Sequence, residues 1–245
     1  MTYTELLAEL RNNILRDKSA LVAGDQDTLW DDTSLLAYIN QAAQIMARRT
    51  LSLRDDSTAA ITQLTLKQGI TEYPIDKRIL AVLSCKFDQD AFDIGRVGHF
   101  QLNTYVPPDT LWFDVNLAAT LSPGRPQYYA MDESVETLRV YPAPDAVNSG
   151  KKLYLRVARL QKNNASMDTL DDEPEFFPEY HMYLLDWAAY RALSNHEIDG
   201  EDQTRAEKHK QNFEDYIKDV REEVRRREFA PMNFQFGRLG YTWIR

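Results

Sequence analysis

The sequence predicts an α+β protein: helices at both ends of the chain, a β-rich insert between them, and an extended C-terminal arm. Three observations predict it. Apolar residues recur at helical spacing near the N-terminus and again after the acidic stretch Met167–Glu179. Between those regions the period falls to two, as in half-buried strands. After Phe229 periodicity stops. The reading divides the chain into residues 1–57 and 166–228, two halves of an antiparallel helical bundle, with an antiparallel β domain inserted over 58–165 and an arm over 229–245.

The first helix is carried by Leu6, Leu7, Leu10, Ile14 and Leu15, and Gly24 with its polar neighbours ends the pattern. A second helix is expected to start near Asp32 or Thr33, whose side chains accept from free first-turn amides. Leu35, Leu36, Ile39, Ala42, Ala43 and Met46 form its buried face, and Arg48 and Arg49 suit the negative end of its dipole. From about Ala59 strands are predicted. Leu64 and Leu66 alternate with polar residues, and Gln68-Gly69 invites a turn back into Ile70–Ile75. Ile79, Ala81, Leu83, Cys85 and Phe87 are expected on one side of a strand, with Ser84 and Lys86 on the other. Leu138 and Val140, then Leu153, Leu155 and Val157, repeat the alternation. Between them Pro142 through Gly150 must reverse the chain. The middle third reads as an antiparallel sheet or small sandwich.

Pro178 fits a helix first turn, where its missing amide costs nothing. From Tyr180 to Ala192 apolar and aromatic residues cover more than half the circumference, so this helix is enclosed on several sides. Tyr183, Trp187 and Tyr190 on it fit either the core or a neighbouring chain. After Gly200 a last helix carries the stripe Ala206, His209, Phe213, Tyr216, Ile217, Val220 and Val224. Its outer face offers Glu201–Arg205, Glu214–Lys218, Glu222–Arg226 and Glu223–Arg227 in the favourable acid-first i,i+4 order.

Composition narrows the function. The 245 residues carry 29 Lys+Arg against 38 Asp+Glu, a formal charge of −9, which argues against a general binder of nucleic acid or anionic membrane. Cys85 is the only cysteine, so no intrachain disulfide forms. The first sixteen residues lack a signal-peptide pattern, and no stretch approaches the roughly 18 apolar residues of a membrane span. The expectation is a soluble protein made in the cytoplasm, in which Asn164-Ala165-Ser166 is a polar loop rather than a glycosylation site.

The sequence carries little that points to catalysis. His99, His181, His196 and His209 form no metal motif, and His181 and His209 read as satisfied core histidines. No nucleophile elbow, Walker loop or dinucleotide fingerprint occurs. Asp88, Asp90 and Asp93 resemble the start of a calcium loop, but Phe92 takes a ligand position and no glutamate closes it. The acidic group Asp168, Asp171, Asp172, Glu173, Glu175 and Glu179 reads as a solvated connector. Arg225, Arg226 and Arg227 sit at a helix C-terminus with acidic i−4 partners for two of them, which favours a structural role. No cofactor and no metal are expected.

The last 17 residues are the most informative local feature. Phe229, Phe234, Phe236, Tyr241 and Trp243 fall in a segment with no acid, whose only charged side chains are Arg238 and Arg245. Burying such an aromatic stabilises by about 1.5–3 kcal/mol, so the segment wants a surface. It either folds back on its own bundle or docks on another chain with aromatics as anchors.

Several stretches in succession resemble the head-to-tail adaptor, or head completion, proteins of tailed bacteriophages. They are Leu29–Ala42 with Ala47–Thr50; Gly124–Tyr129 followed by Leu138–Asp145; and Pro178–His181 with Leu185–Leu193, then Ala206 and Phe213. The resemblance implies a ring, usually of twelve copies, beneath the portal in the virion neck, assembled in the host cytoplasm. Such a ring extends the DNA channel, lets the genome pass without specific binding, and presents a face to a downstream tail or nozzle protein. It also implies that the C-terminus reaches the portal, through Phe229, Phe234, Phe236, Arg238, Tyr241 and Trp243. Two other readings compete: a carbohydrate-binding module with Trp112, Tyr128, Tyr129 and Tyr141 as platform, and a hydrolase built on Asp171 and Asp172.

Overall fold

A computed structural model describes residues 1–17, 29–88, 90, 93–96, 122–131, 136–195 and 202–229. It is an α+β structure in two compact units, one from Met1–Ser52 with Asn163–Arg245 and one from Leu53–Lys162. The elements in chain order are α1 (Tyr3–Glu9), α2 (Asp32–Thr50), β1 (Arg54–Asp55), α3 (Ala59–Thr62), β2 (Gln63–Thr65), β3 (Glu72–Pro74), β4 (Ile79–Phe87), β5 (Gly95–Arg96), β6 (Tyr128–Ala130), β7 (Thr137–Tyr141), β8 (Lys152–Arg159), α4 (His181–Leu193) and α5 (Gln203–Phe229).

In the helical unit, Thr2 and Glu5 form a reciprocal capping box at the start of α1. The helix then widens to a π-helical stretch, Leu10–Leu15, so the buried leucines there fall five apart rather than four. Ile14 is consequently only half-buried. The α2 N-cap is Asp31, one residue ahead of the expected pair, accepting from the Ser34 amide. All six residues assigned to its buried face are buried. Small residues Ala188, Ala189 and Ala192 let α4 approach its neighbours closely. Trp30, just before α2, donates its indole N–H to the Ala192 carbonyl at the far end of α4. Tyr183 of α4 stacks on Tyr216 of α5, while Asp186 accepts from His209 and Asn212.

One ion pair differs from the sequence reading. Glu214 does not serve Lys218; it takes both guanidinium nitrogens of Arg49 on α2 at 2.6 Å, and Lys218 turns to Asp215. A bidentate guanidinium is the stronger partner for a carboxylate than a flexible ammonium. Glu222–Arg226 and Glu223–Arg227 form as expected. Glu201 lies outside the described residues.

Among the described residues, the β unit holds two four-stranded sheets. In one, β8 is central, with β4 on one edge and β1 and β2 on the other; the second runs β3-β7-β6-β5. Their side chains share one core, including Tyr73, Val82, Cys85, Phe87, Tyr129, Leu138, Val140, Leu153, Leu155 and Val157. The pairing is antiparallel except for β5 with β6, which is parallel. Three details correct the sequence reading. Residues Ala59–Thr62 form a helical turn rather than the start of a strand. The chain does turn at Gly69, whose φ of +71° suits glycine, but β2 and β3 then join different sheets. In β4, bulges between Ile79 and Ala81 and between Val82 and Ser84 shift the pleat, so Val82 is buried while Ala81 and Leu83 are half-exposed. Cys85 is fully buried, which pushes its thiol up to about 12.

Two carboxylates make this unit acid-sensitive. Asp76 is held at about 2 by hydrogen bonds from Arg78, against the opposing effect of burial. Burial works to raise the Asp55 pKa, but hydrogen bonds from Thr58, Arg159 and Ser57 outweigh it and hold the carboxyl well below the usual range. Depressed folded pKa values give stability that is present above the unfolded value, near 3.9, and lost as pH falls through the folded one. Denaturation midpoints are therefore expected to drop below about pH 4, with a shallower drop in Asp76→Asn. Equal slopes for both proteins would contradict this assignment.

Candidate docking surface

Of the residues assigned to partner docking, Phe229 is the last helical residue of α5, and Phe234, Phe236, Arg238, Tyr241 and Trp243 lie outside the described residues. The segment leading into α4 meets the last turns of α5 through three residues. Tyr180 is buried, and its hydroxyl donates to Glu223 at 2.5 Å. Burial, reinforced by this carboxylate, pushes the phenol well above its ordinary pKa. Glu179 accepts from Arg227 at 3.2 Å. The Arg227 guanidinium sits 4.6 Å from the ring centre of Phe177, a side chain left 51% exposed. Glu223 pairs with Arg227 along the helix, which joins the contacts into one clasp.

The aromatic stripe of α4 is shared between core and surface. Tyr183 stacks on Tyr216 with ring centres 4.0 Å apart, and Trp187 packs on Phe213 and Tyr190. The Trp187 indole donates to Gln41 on α2, yet all three stripe residues keep part of their surface in water. Packing within one unit thus accounts for most of this surface.

The remaining candidates resolve individually. His181 is fully buried between the Met1 amine and the Phe176 carbonyl, and His209 is paired with Asp186, so both are satisfied within the fold. His99 and His196 lie outside the described residues. In the acidic connector, the Leu170 and Asp172 carbonyls accept the first amides of α1, and Asn40 fixes Ala165 by two 2.8 Å hydrogen bonds. A cavity of about 260 Å³ opens there, lined by Tyr3, Asn163, Asn164, Thr169, Asp172, Glu173 and Glu175. Among the described residues no group of His, Cys, Asp or Glu is arranged to hold a metal. Asp90 is engaged by Arg125, a use other than calcium ligation, and the backbone of Asp93 forms an isolated bridge with Lys86. The proposed sugar platform does not form as expected. Tyr129 and Tyr141 are buried, because their side chains are needed inside the β unit, and Trp112 lies outside the described residues.

Charge is segregated between the units. Leu53–Lys162 contains thirteen Lys+Arg and thirteen Asp+Glu, so the formal −9 belongs entirely to the helical unit and the arm. No helix among the described residues is long and apolar enough to cross a membrane.

The family model described as SU10 adaptor protein matches residues 1–235. The chain belongs to the SU10 adaptor protein family. It is a phage head-to-tail adaptor, a structural role that agrees with the order of motifs along the chain. The match takes in both compact units and the start of the arm, including Phe229 and Phe234. No curated protein matches the chain.

Proposed function

We propose that this adaptor assembles as a ring, in the family's usual twelve copies, that joins the portal to the tail in the virion neck and extends the DNA channel. The family match over residues 1–235 carries this reading. In it the helices pack as an antiparallel bundle, Phe229–Arg245 docks on the portal, and a tail or nozzle protein binds the opposite face. The role is mechanical, without catalysis. Ring closure needs a heterologous contact whose rotation closes, which a two-unit protomer can offer from two different surfaces.

The charge distribution supports a conduit. A wall that lets DNA slide must not release the counterions that drive binding, and an acidic surface repels phosphates. With the β unit neutral, the helical unit is the part suited to face DNA.

Particles assembled without the protein test the role. They are expected to package DNA, fail to acquire working tails, and lose the genome. Tailed, infectious particles formed in its absence would overturn the proposal.

A further inference from the structure

We propose that the clasp formed by Phe177, Glu179 and Tyr180 with Glu223 and Arg227 is a positioning device for the arm: it pins the last turns of α5 so that the arm leaves from a fixed point. The inference rests on the reading of Phe229–Arg245 as the portal-binding segment and deepens it.

The support of α5 thins toward its C-terminal end. Among the described side chains its last fully buried one is Val220, and Val224 is only half-buried. Helix ends without tertiary contacts fray, because propagation alone contributes little per residue. Beyond Val220, Glu223 and Arg227 tie α5 to the segment before α4. They fall on residues four apart, one turn of one helix face. Arg227 precedes the end of α5 by two residues. Phe177, a large apolar side chain held half in water, makes sense as the seat of that guanidinium.

The clasp sets how many residues separate a held point on α5 from the arm's aromatics. From Arg227 to Phe234 is seven residues, and from Val220 to Phe234 is fourteen. Effective concentration of a tethered ligand falls roughly as the −3/2 power of tether length, so doubling it weakens docking about threefold per arm. In a ring that engages several arms together the factors multiply.

The test uses Phe177→Ala with Arg227→Ala, leaving buried Tyr180 in place, in the full chain and in a chain ending at residue 228. Portal affinity and hydrogen exchange of the amides from residue 221 to 228 are read on each. The expected result in the full chain is at least about a threefold loss of affinity together with faster exchange. In the shortened chain the same substitutions are expected to leave residual affinity unchanged, since no arm is left to position. Restoring the guanidinium alone, in Phe177→Ala, is expected to recover part of the loss. Equal losses with and without the arm would show a merely structural role and overturn the clasp, as would unchanged affinity in the full chain. If shortening the chain costs no affinity, the portal reading of the arm fails, and the clasp proposal with it.

Discussion

Removing Phe229–Arg245 is expected to weaken portal docking by about 1,000-fold or more while the protein keeps its fold. Interface anchors are dominated by a few aromatic and arginine side chains worth about 2 kcal/mol or more each. Losing two of the five aromatics in this segment would already weaken binding about 1,000-fold. The fold is expected to survive because the buried residues described on α5, Ala206, Phe213, Ile217 and Val220, all precede the deletion. Circular dichroism and thermal melting check the first half, and binding to purified portal checks the second. A truncated chain that unfolds would place the arm in the protein's own core, the other reading that its composition allows.

The largest effect on stability is expected at Asp55. Its side chain is 3% exposed and accepts the Arg159 Nε–H at 2.7 Å; Arg159 is 7% exposed. The same carboxylate accepts the Ser57 and Thr58 amides, which starts the turn into α3. Asp55→Ala leaves the buried Arg159 charge without its carboxylate and takes away the acceptor of both backbone amides, so a loss of about 3–5 kcal/mol is expected in urea unfolding. Replacing both partners by apolar residues of similar size is expected to recover much of the pair's share, because no unpaired charge is left behind. A single-substitution loss below about 1 kcal/mol would show that the pair is solvated in solution.

Much of this architecture is readable in the sequence where burial is one-sided. The α2 stripe from Leu35 to Met46 is buried as its spacing implies, and Leu138, Val140, Leu153, Leu155 and Val157 all enter the core. What escapes is set by partners distant in the chain. The bulges in β4 depend on its register with β8, so alternation alone puts Ala81 and Leu83 where Val82 belongs. Glu214 has a good i+4 neighbour in Lys218, yet Arg49, 165 residues away, supplies a better fork. Asp55 and Arg159 are 104 residues apart, and no local pattern marks either as half of a buried pair. The clasp is half-legible: Glu223–Arg227 follows from helical spacing, whereas Phe177 joins them only because α4 and α5 pack together. Burial of Tyr129 and Tyr141 removes the sugar platform, since alternating aromatics do not reveal which side of a strand faces water.

Electron microscopy of the purified adaptor mixed with portal tests the central claim most directly. The account predicts a closed ring stacked coaxially beneath the portal, with density for residues 229–245 running onto the portal surface. A protein that stays monomeric and unbound in that mixture would contradict it.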